Sequence, residues 1–132
     1  MKVSLIQFDI SWEDKQANFA RLSCLLGGVP DGTDLVILPE MFNTGFSPAA
    51  DAFAEGPCSL TFEWMRKTSL DRGFALAGSY MVSEGGKLFN RWVFISPEGD
   101  TFRYDKRHLF AHGGVELNYT RGSERLVFEY RG

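Results

Sequence analysis

Apolar residues along this chain change rhythm several times, and each change predicts an element. Positions 3–10 alternate loosely and are rich in branched and aromatic side chains, which predicts a strand over Val3 to Ile10. Ser11 is placed to cap the next segment, and Asp14 adds an acidic group to its first turn. Ala17, Phe19, Ala20, Leu22, Leu25 and Leu26 then recur at helical spacing. Gly27 and Gly28 end that helix, and Pro30-Asp31-Gly32 makes a turn. The short apolar run from Asp34 to Leu38 predicts a strand covered on both faces. Gly45, Ser47 and Pro48 break the stretch from Met41 to Asp51 into a loop.

A second helix is predicted over Leu60 to Arg72, capped by Ser59, stopped by Gly73, with Phe62, Met65 and Leu70 facing inward. Phe74 to Tyr80 reads as a strand whose small residues admit another backbone closely. Glu84-Gly85-Gly86-Lys87 is a hairpin turn, Phe89 to Ser96 the returning strand, and Pro97 to Asp100 a second turn. Thr101 to Tyr104 is a further strand, His108 to Gly122 a long polar loop, and Arg125 to Tyr130 a last alternating strand. The order β-α-β-α-β-β-β-β is α/β at the start and a meander later. Two helices cover one face of such a sheet. The other face calls for a second sheet or a partner chain, so a homo-oligomer is expected.

Composition narrows this further. At 132 residues the chain is one domain by size. A net charge of −3 with 23% charged residues argues against a nucleic-acid surface or a polybasic membrane patch. Its apolar runs fall far short of the ~20 residues needed to span a bilayer. The N-terminus carries no long apolar region with a small-residue cleavage site, and reads as a strand. Cys24 and Cys58 make no disulfide framework, which points to a reducing, cytoplasmic setting.

Two residues draw attention as chemistry. Glu40 comes after the apolar run Leu35 to Leu38 and rigid Pro39, so it stands at the mouth of a strand end, where a general base is useful. Taken alone it also fits a solvated carboxylate. Lys106, in Tyr104-Asp105-Lys106-Arg107-His108, fits either a solvated lysine or an ammonium that stabilises an oxyanion and holds Glu40. Cys24 falls on the apolar side of the first helix and reads as core filler. His108 and His112 are four apart, but the glycines around them argue against a helical metal site. Phe42 and Phe46 fit either an acyl pocket or core packing under the loop.

Here a resemblance becomes specific. Gln7-Phe8-Asp9-Ile10, Trp12-Glu13-Asp14-Lys15, Asn18, the block Leu38 to Ser47, Gly78-Ser79, Asn90-Arg91 and the block Asp105 to Phe110 occur in the order of the nitrilase (carbon–nitrogen hydrolase) superfamily. The block Leu38 to Ser47 resembles its ω-amidase-type branch most closely. The resemblance runs over 1–132 as the N-terminal part of a single carbon–nitrogen hydrolase domain. It implies an αββα sandwich, commonly paired into a four-layer dimer, and a Glu–Lys–Cys triad with neither metal nor organic cofactor. Glu40 would deprotonate the cysteine and later a water, and Lys106 would stabilise the tetrahedral intermediates. The cysteine would carry the acyl group as a thioester and ammonia would leave. The implied substrates are ω-amides of short dicarboxylates or 2-oxo acids, such as 2-oxoglutaramate and 2-oxosuccinamate. Asn90 and Arg91 would order the turns of the site. The family's second carboxylate falls nearest Glu116, one position late after Gly113-Gly114, so Glu116 is either a substrate or lysine partner or a solvated loop residue. Phe46 is the candidate acyl-pocket residue. Cys58 does not lie where this family keeps its nucleophile, and no cysteine comes after Lys106. Two readings therefore stand: an amidase whose cysteine lies beyond this sequence, or a catalytically incompetent half-domain acting only in self-association or assembly.

Overall fold

Asp14, not Ser11, opens the first helix. Its carboxylate accepts from the Ala17 amide at 3.0 Å, and the backbone of Ser11 is instead tied up by the side chain of Asn18. In the computed structural model, which describes residues 1–109 and 119–132, this helix is α1 (Lys15–Leu26). It comes after β1 (Val3–Leu5) and before β2 (Leu35–Ile37). The chain continues through α2 (Ala50–Phe53), α3 (Leu60–Arg72), β3 (Ala75–Glu84), β4 (Lys87–Ile95) and β5 (Thr101–Asp105). The cap and stop of α3 are as the sequence predicts. The Ser59 hydroxyl accepts from Phe62 N, and Gly73 takes a left-handed φ of 73° that only glycine adopts without cost.

The strands form one mixed sheet in the order β1-β2-β3-β4-β5. The first three are mutually parallel and the last two antiparallel. Two reversals make β5 run the same way as β2, so both strands end on the same edge of the sheet. β3 extends past the predicted Tyr80 because it pairs with β4 from Leu76↔Ile95 down to Glu84↔Lys87. Gly85 and Gly86, at φ 59° and 73°, close that hairpin. β1 is shorter than predicted. After Ile6 N bonds Ile37 O, the chain leaves the ladder toward the Asn18 side chain. One turn of helix, α2, falls inside the region predicted partly as loop.

Register sorts the side chains onto two faces. Val36, Leu76, Tyr80, Val82, Val93 and Ile95 face the helices and pack with Phe19, Leu22 and Leu26 of α1 and Phe62 and Met65 of α3. At about 1.5–3 kcal/mol for each large apolar side chain buried, this layer dominates the stability. The opposite face carries Ala75, Ala77 and Phe94, flanked by Leu35, Trp92 and Phe102. The two long helices, α1 and α3, cover only the first face, as expected, while the short α2 sets Ala50 and Phe53 against Met81 at the end of β3. The predicted last strand, Arg125 to Tyr130, joins no ladder. It crosses the second face instead. Phe128 stacks on Phe102 with centroids 4.1 Å apart, and Tyr130 meets Phe94 edge-on at 5.0 Å. That strap stops short of β1, where Leu5 is 76% exposed.

Four positions read from the apolar pattern are corrected, the first being Ala20, which is exposed on α1. Leu70 is exposed, and Ser69 is buried in its place, its hydroxyl meeting the carbonyls of Phe74 and Ile95. Leu25 is largely exposed. Cys24 is exposed on α1 and is not core filler. The helical phase of α1 centres on Asn18, Phe19, Leu22 and Leu26, and it turns Cys24 and Leu25 outward.

Candidate active site

Glu40 stands on a sharp turn just past β2. Leu38 N still bonds Ala77 O at 2.7 Å, and three residues on Met41 takes a left-handed φ of 53°. A non-glycine residue in that region is strained and needs outside support. Ser79 on β3 supplies it. Its hydroxyl accepts from Met41 N at 3.2 Å and its carbonyl from Phe42 N at 3.2 Å. Gly78 lets the turn come this close, because a Cβ there would lie 2.9 Å from the Phe42 ring and 3.0 Å from Leu38 Cβ. Behind the turn runs a chain of buried polar groups. Asn18 holds the carbonyls of Ser11 and Asn43, Asn43 donates to Thr61, and Thr61 donates to Glu55. Lys15 closes the chain with an ion pair to Glu55 at 2.6 Å. Burial pushes the Glu55 carboxyl up, but hydrogen bonds from Lys15, Ser59 and Thr61 outweigh it and hold the group below the ordinary glutamate value.

Lys106 stands just past β5 at the same edge of the sheet. Its amide bonds Asn90 O at 2.9 Å, and its carbonyl accepts from Gly122 N at 3.1 Å. Arg91, 7% exposed, grips the neighbouring Asp105 with two hydrogen bonds of 2.7 and 2.9 Å and takes Glu84 as well. Asp105 first, then Glu84, holds the Arg91 guanidinium above its already high usual value, so this anchor stays charged. From the far side, Tyr119 packs against the Met41–Met81 cluster, and burial pushes its hydroxyl up to about 12.

β2 and β5 lie three strand spacings apart, roughly 14 Å, so only long side chains can meet across the gap. They do. Lys106 Nζ donates to Glu40 Oε1 at 2.5 Å, and Asn90 Nδ2 donates to the same oxygen at 2.6 Å. The pair opens into a cavity of about 390 Å3 walled by Leu38, Ser79, Asn90, Trp92, Tyr104 and His108. The cavity opens on the face of the sheet opposite α1 and α3. Neither member of the pair is deeply buried, with side-chain exposures of 30% for Lys106 and 40% for Glu40. A fixed carboxylate beside a fixed ammonium suits proton transfer next to developing negative charge.

Of the other sequence candidates, Phe42 is fully buried in the core, while Phe46 is 48% exposed and does not line the cavity. Glu116 and His112 lie outside the described residues. Among the described residues no cluster of three or more His, Cys, Asp or Glu side chains could hold a metal. Nor is any helix among them long and apolar enough to cross a membrane. Sequence reasoning missed Trp92 and Tyr104 as cavity walls. The signal was present in the period of two, which places Asn90 with Trp92, and Tyr104 with Lys106, on one sheet face.

A glutamate and a lysine brought together at one edge of a mixed sheet, backed by two long helices on one side, define a class of site rather than a single protein. The chain belongs to the carbon–nitrogen hydrolase family, whose model matches residues 2–131. It is similar to the ω-amidase YafV of Yersinia enterocolitica, at 36% identity over the whole chain and 51% of that protein. YafV of Escherichia coli K12 is 33% identical over the same share. Among solved structures, XC1258 of Xanthomonas campestris superposes with a TM-score of 0.92 at 39% identity. XC1258 is a CN-hydrolase superfamily protein with an arsenic adduct in its active site, and the match covers 98% of this chain and 49% of that one. Nit3 of Saccharomyces cerevisiae gives 0.80 at 25% identity, covering 94% and 49%. The chain spans about half the length of the curated relatives it matches.

Proposed function

We propose that this chain carries the acid–base part of an amidase that cleaves ω-amides of short dicarboxylates or 2-oxo acids. The contact of Lys106 with Glu40 across the strand gap supports the reading most directly. The similarity to ω-amidases over the whole chain supports the substrate class. In the proposed reaction a cysteine thiol, supplied by the portion of the relatives that this sequence does not span, gives its proton to Glu40. The resulting thiolate attacks the amide carbonyl carbon, and Lys106 stabilises the oxyanion. Glu40 returns the proton to the departing nitrogen and ammonia leaves. It then takes a proton from water, whose hydroxide opens the thioester and frees the acid. Phe46, lying just past the turn, is the proposed acyl-side contact, and Glu116 the proposed second carboxylate. A homo-oligomer in a reducing cytoplasm completes the proposal, consistent with two exposed, unpaired cysteines.

Ammonia release from 2-oxoglutaramate by the full-length protein tests this. Glu40→Gln and Lys106→Met are each expected to lose about 10³-fold or more in kcat with their circular dichroism unchanged. Full turnover by Glu40→Gln would refute it. A second reading, a non-catalytic module that self-associates, draws on the open sheet face where Leu5 and Val3 are 76% and 42% exposed. It expects concentration-dependent association of residues 1–132 in light scattering, and a monodisperse monomer would count against it.

A further inference from the structure

Glu40 presents two oxygens, and the structure treats them differently. Oε1 accepts from Lys106 Nζ at 2.5 Å and from Asn90 Nδ2 at 2.6 Å. Oε2 accepts no hydrogen bond among the described residues, while the Glu40 side chain faces the cavity and is 40% exposed. We propose that Asn90 is a positioning residue that divides the labour of the Glu40 carboxylate, fixing Oε1 so that Oε2 is the oxygen that takes and returns the proton. This deepens the proposed amidase reading and rests on it.

Asn90 is, first, placed rather than mobile. It is 5% exposed on β4, its Cα pairs with Met81 in the ladder, and its carbonyl accepts the Lys106 amide at 2.9 Å. One residue therefore holds the lysine by its backbone and the glutamate by its side chain. Second, the amide orientation is set by the contact. An amide oxygen turned toward a carboxylate oxygen at this distance would repel it, so the nitrogen faces Glu40. Third, a lone ammonium is a rotatable point charge and leaves the carboxylate plane free to turn. A second donor arriving from a different strand fixes that plane. An oxygen already holding two donors, one of them charged, is the poorer proton acceptor, which leaves Oε2 as the base. Lys106 then faces the developing oxyanion without having to release Glu40, because Asn90 keeps its share of Oε1.

Asn90→Asp keeps the size of the side chain and replaces the donor by a second carboxylate. Asn90→Ala removes the group. In the full-length protein assayed with 2-oxoglutaramate, both are expected to lower kcat about 10- to 100-fold, the scale of a small misplacement of a catalytic group, with KM within about twofold of the original. Asn90→Asp is further expected to move the acidic limb of the kcat/KM profile upward by roughly one pH unit, since a like charge beside Glu40 opposes its ionisation. Asn90→Ala removes a donor from the charged carboxylate without adding a charge, so its limb should move the same way by less than that of Asn90→Asp. A purely structural role would lower the melting temperature and the amount of active protein without moving the limb. Should either variant fail to fold, the unsubstituted protein gives the test, because the Asn90 side-chain amide resonances should shift between it and Glu40→Gln. Unchanged kcat and pH profile in both Asn90 variants, or Asn90 resonances indifferent to Glu40→Gln, would overturn the inference. If Glu40→Gln itself retains turnover, the amidase reading falls first and this inference with it. If only the Asn90 results fail, the amidase reading stands alone.

Discussion

Asn18 offers the sharpest test of how the turn bearing Glu40 is held. It is fully buried on α1, at 0% exposure. Its Oδ1 accepts from Ser11 N at 2.8 Å, and its Nδ2 donates to Ser11 O at 2.8 Å and Asn43 O at 2.9 Å. Replacing Asn18 by Leu keeps most of the volume and the helix propensity but removes all three bonds. Each backbone group left unpaired inside the protein costs about 1–3 kcal/mol. Asn43 lies deepest and should cost the most, while the partly buried Ser11 groups are eased by water. The sum is roughly 3–5 kcal/mol, a large share of the 5–15 kcal/mol typical of a domain. Gln16, exposed on the same helix, is the control, and Gln16→Leu should stay within about 0.5 kcal/mol. Urea unfolding monitored by circular dichroism reads both. A difference between the two variants below about 1 kcal/mol would refute the account, because the buried polar chain would then contribute little to the turn.

Two further outcomes are expected. A Cβ at Gly122 would overlap the carbonyl oxygen of Asp105, so Gly122→Ala must push that segment off Lys106, at a cost of about 2–4 kcal/mol in thermal unfolding. Gly56→Ala, with nothing within 4 Å of its Cβ, should be near neutral. Glu55 is held below its ordinary value of 4.5, so its contribution is complete above that pH and is lost as pH falls through the lowered folded value. The stability gap between the unsubstituted protein and Glu55→Gln should therefore close on acidification below about 4.5, and a gap constant from about pH 7 to about pH 3 would contradict the assignment.

Legibility tracked how local the signal was. The α3 boundaries were readable because Ser59 and Gly73 act through bonds within one turn of chain. The Gly85-Gly86 hairpin was readable for the same reason. The cap of α1 was misread because Ser11 and Asp14 compete, and Asn18, a residue buried by tertiary packing, decides between them. Leu70 and Cys24 were assigned inward because apolar character was read as burial, whereas Ser69 and Asn18 take interior places by satisfying backbone groups. Arg125 to Tyr130 alternates like a strand, yet it binds the sheet through rings and not through a ladder, a distinction that period alone does not carry. At the site, the motifs singled out Glu40 and Lys106, and a lysine holding the glutamate was one of two readings of Lys106; the strand order brings them together and adds Asn90 to the contact.

The strand order also sets a chronology. β3, β4 and β5 are neighbours in sequence as well as in space, joined by tight turns, so they can assemble early and cheaply. β1 and β2 join in parallel through helical crossovers, which demand closure of long loops first. Lys106 and Asn90 belong to the early part, and Glu40, 66 residues before its lysine, to the late part. By sequence separation the ion pair is expected to form late, once β2 has docked on β3. A half-assembled chain would hold a lysine without its carboxylate, and the ion pair would arrive together with the finished sheet.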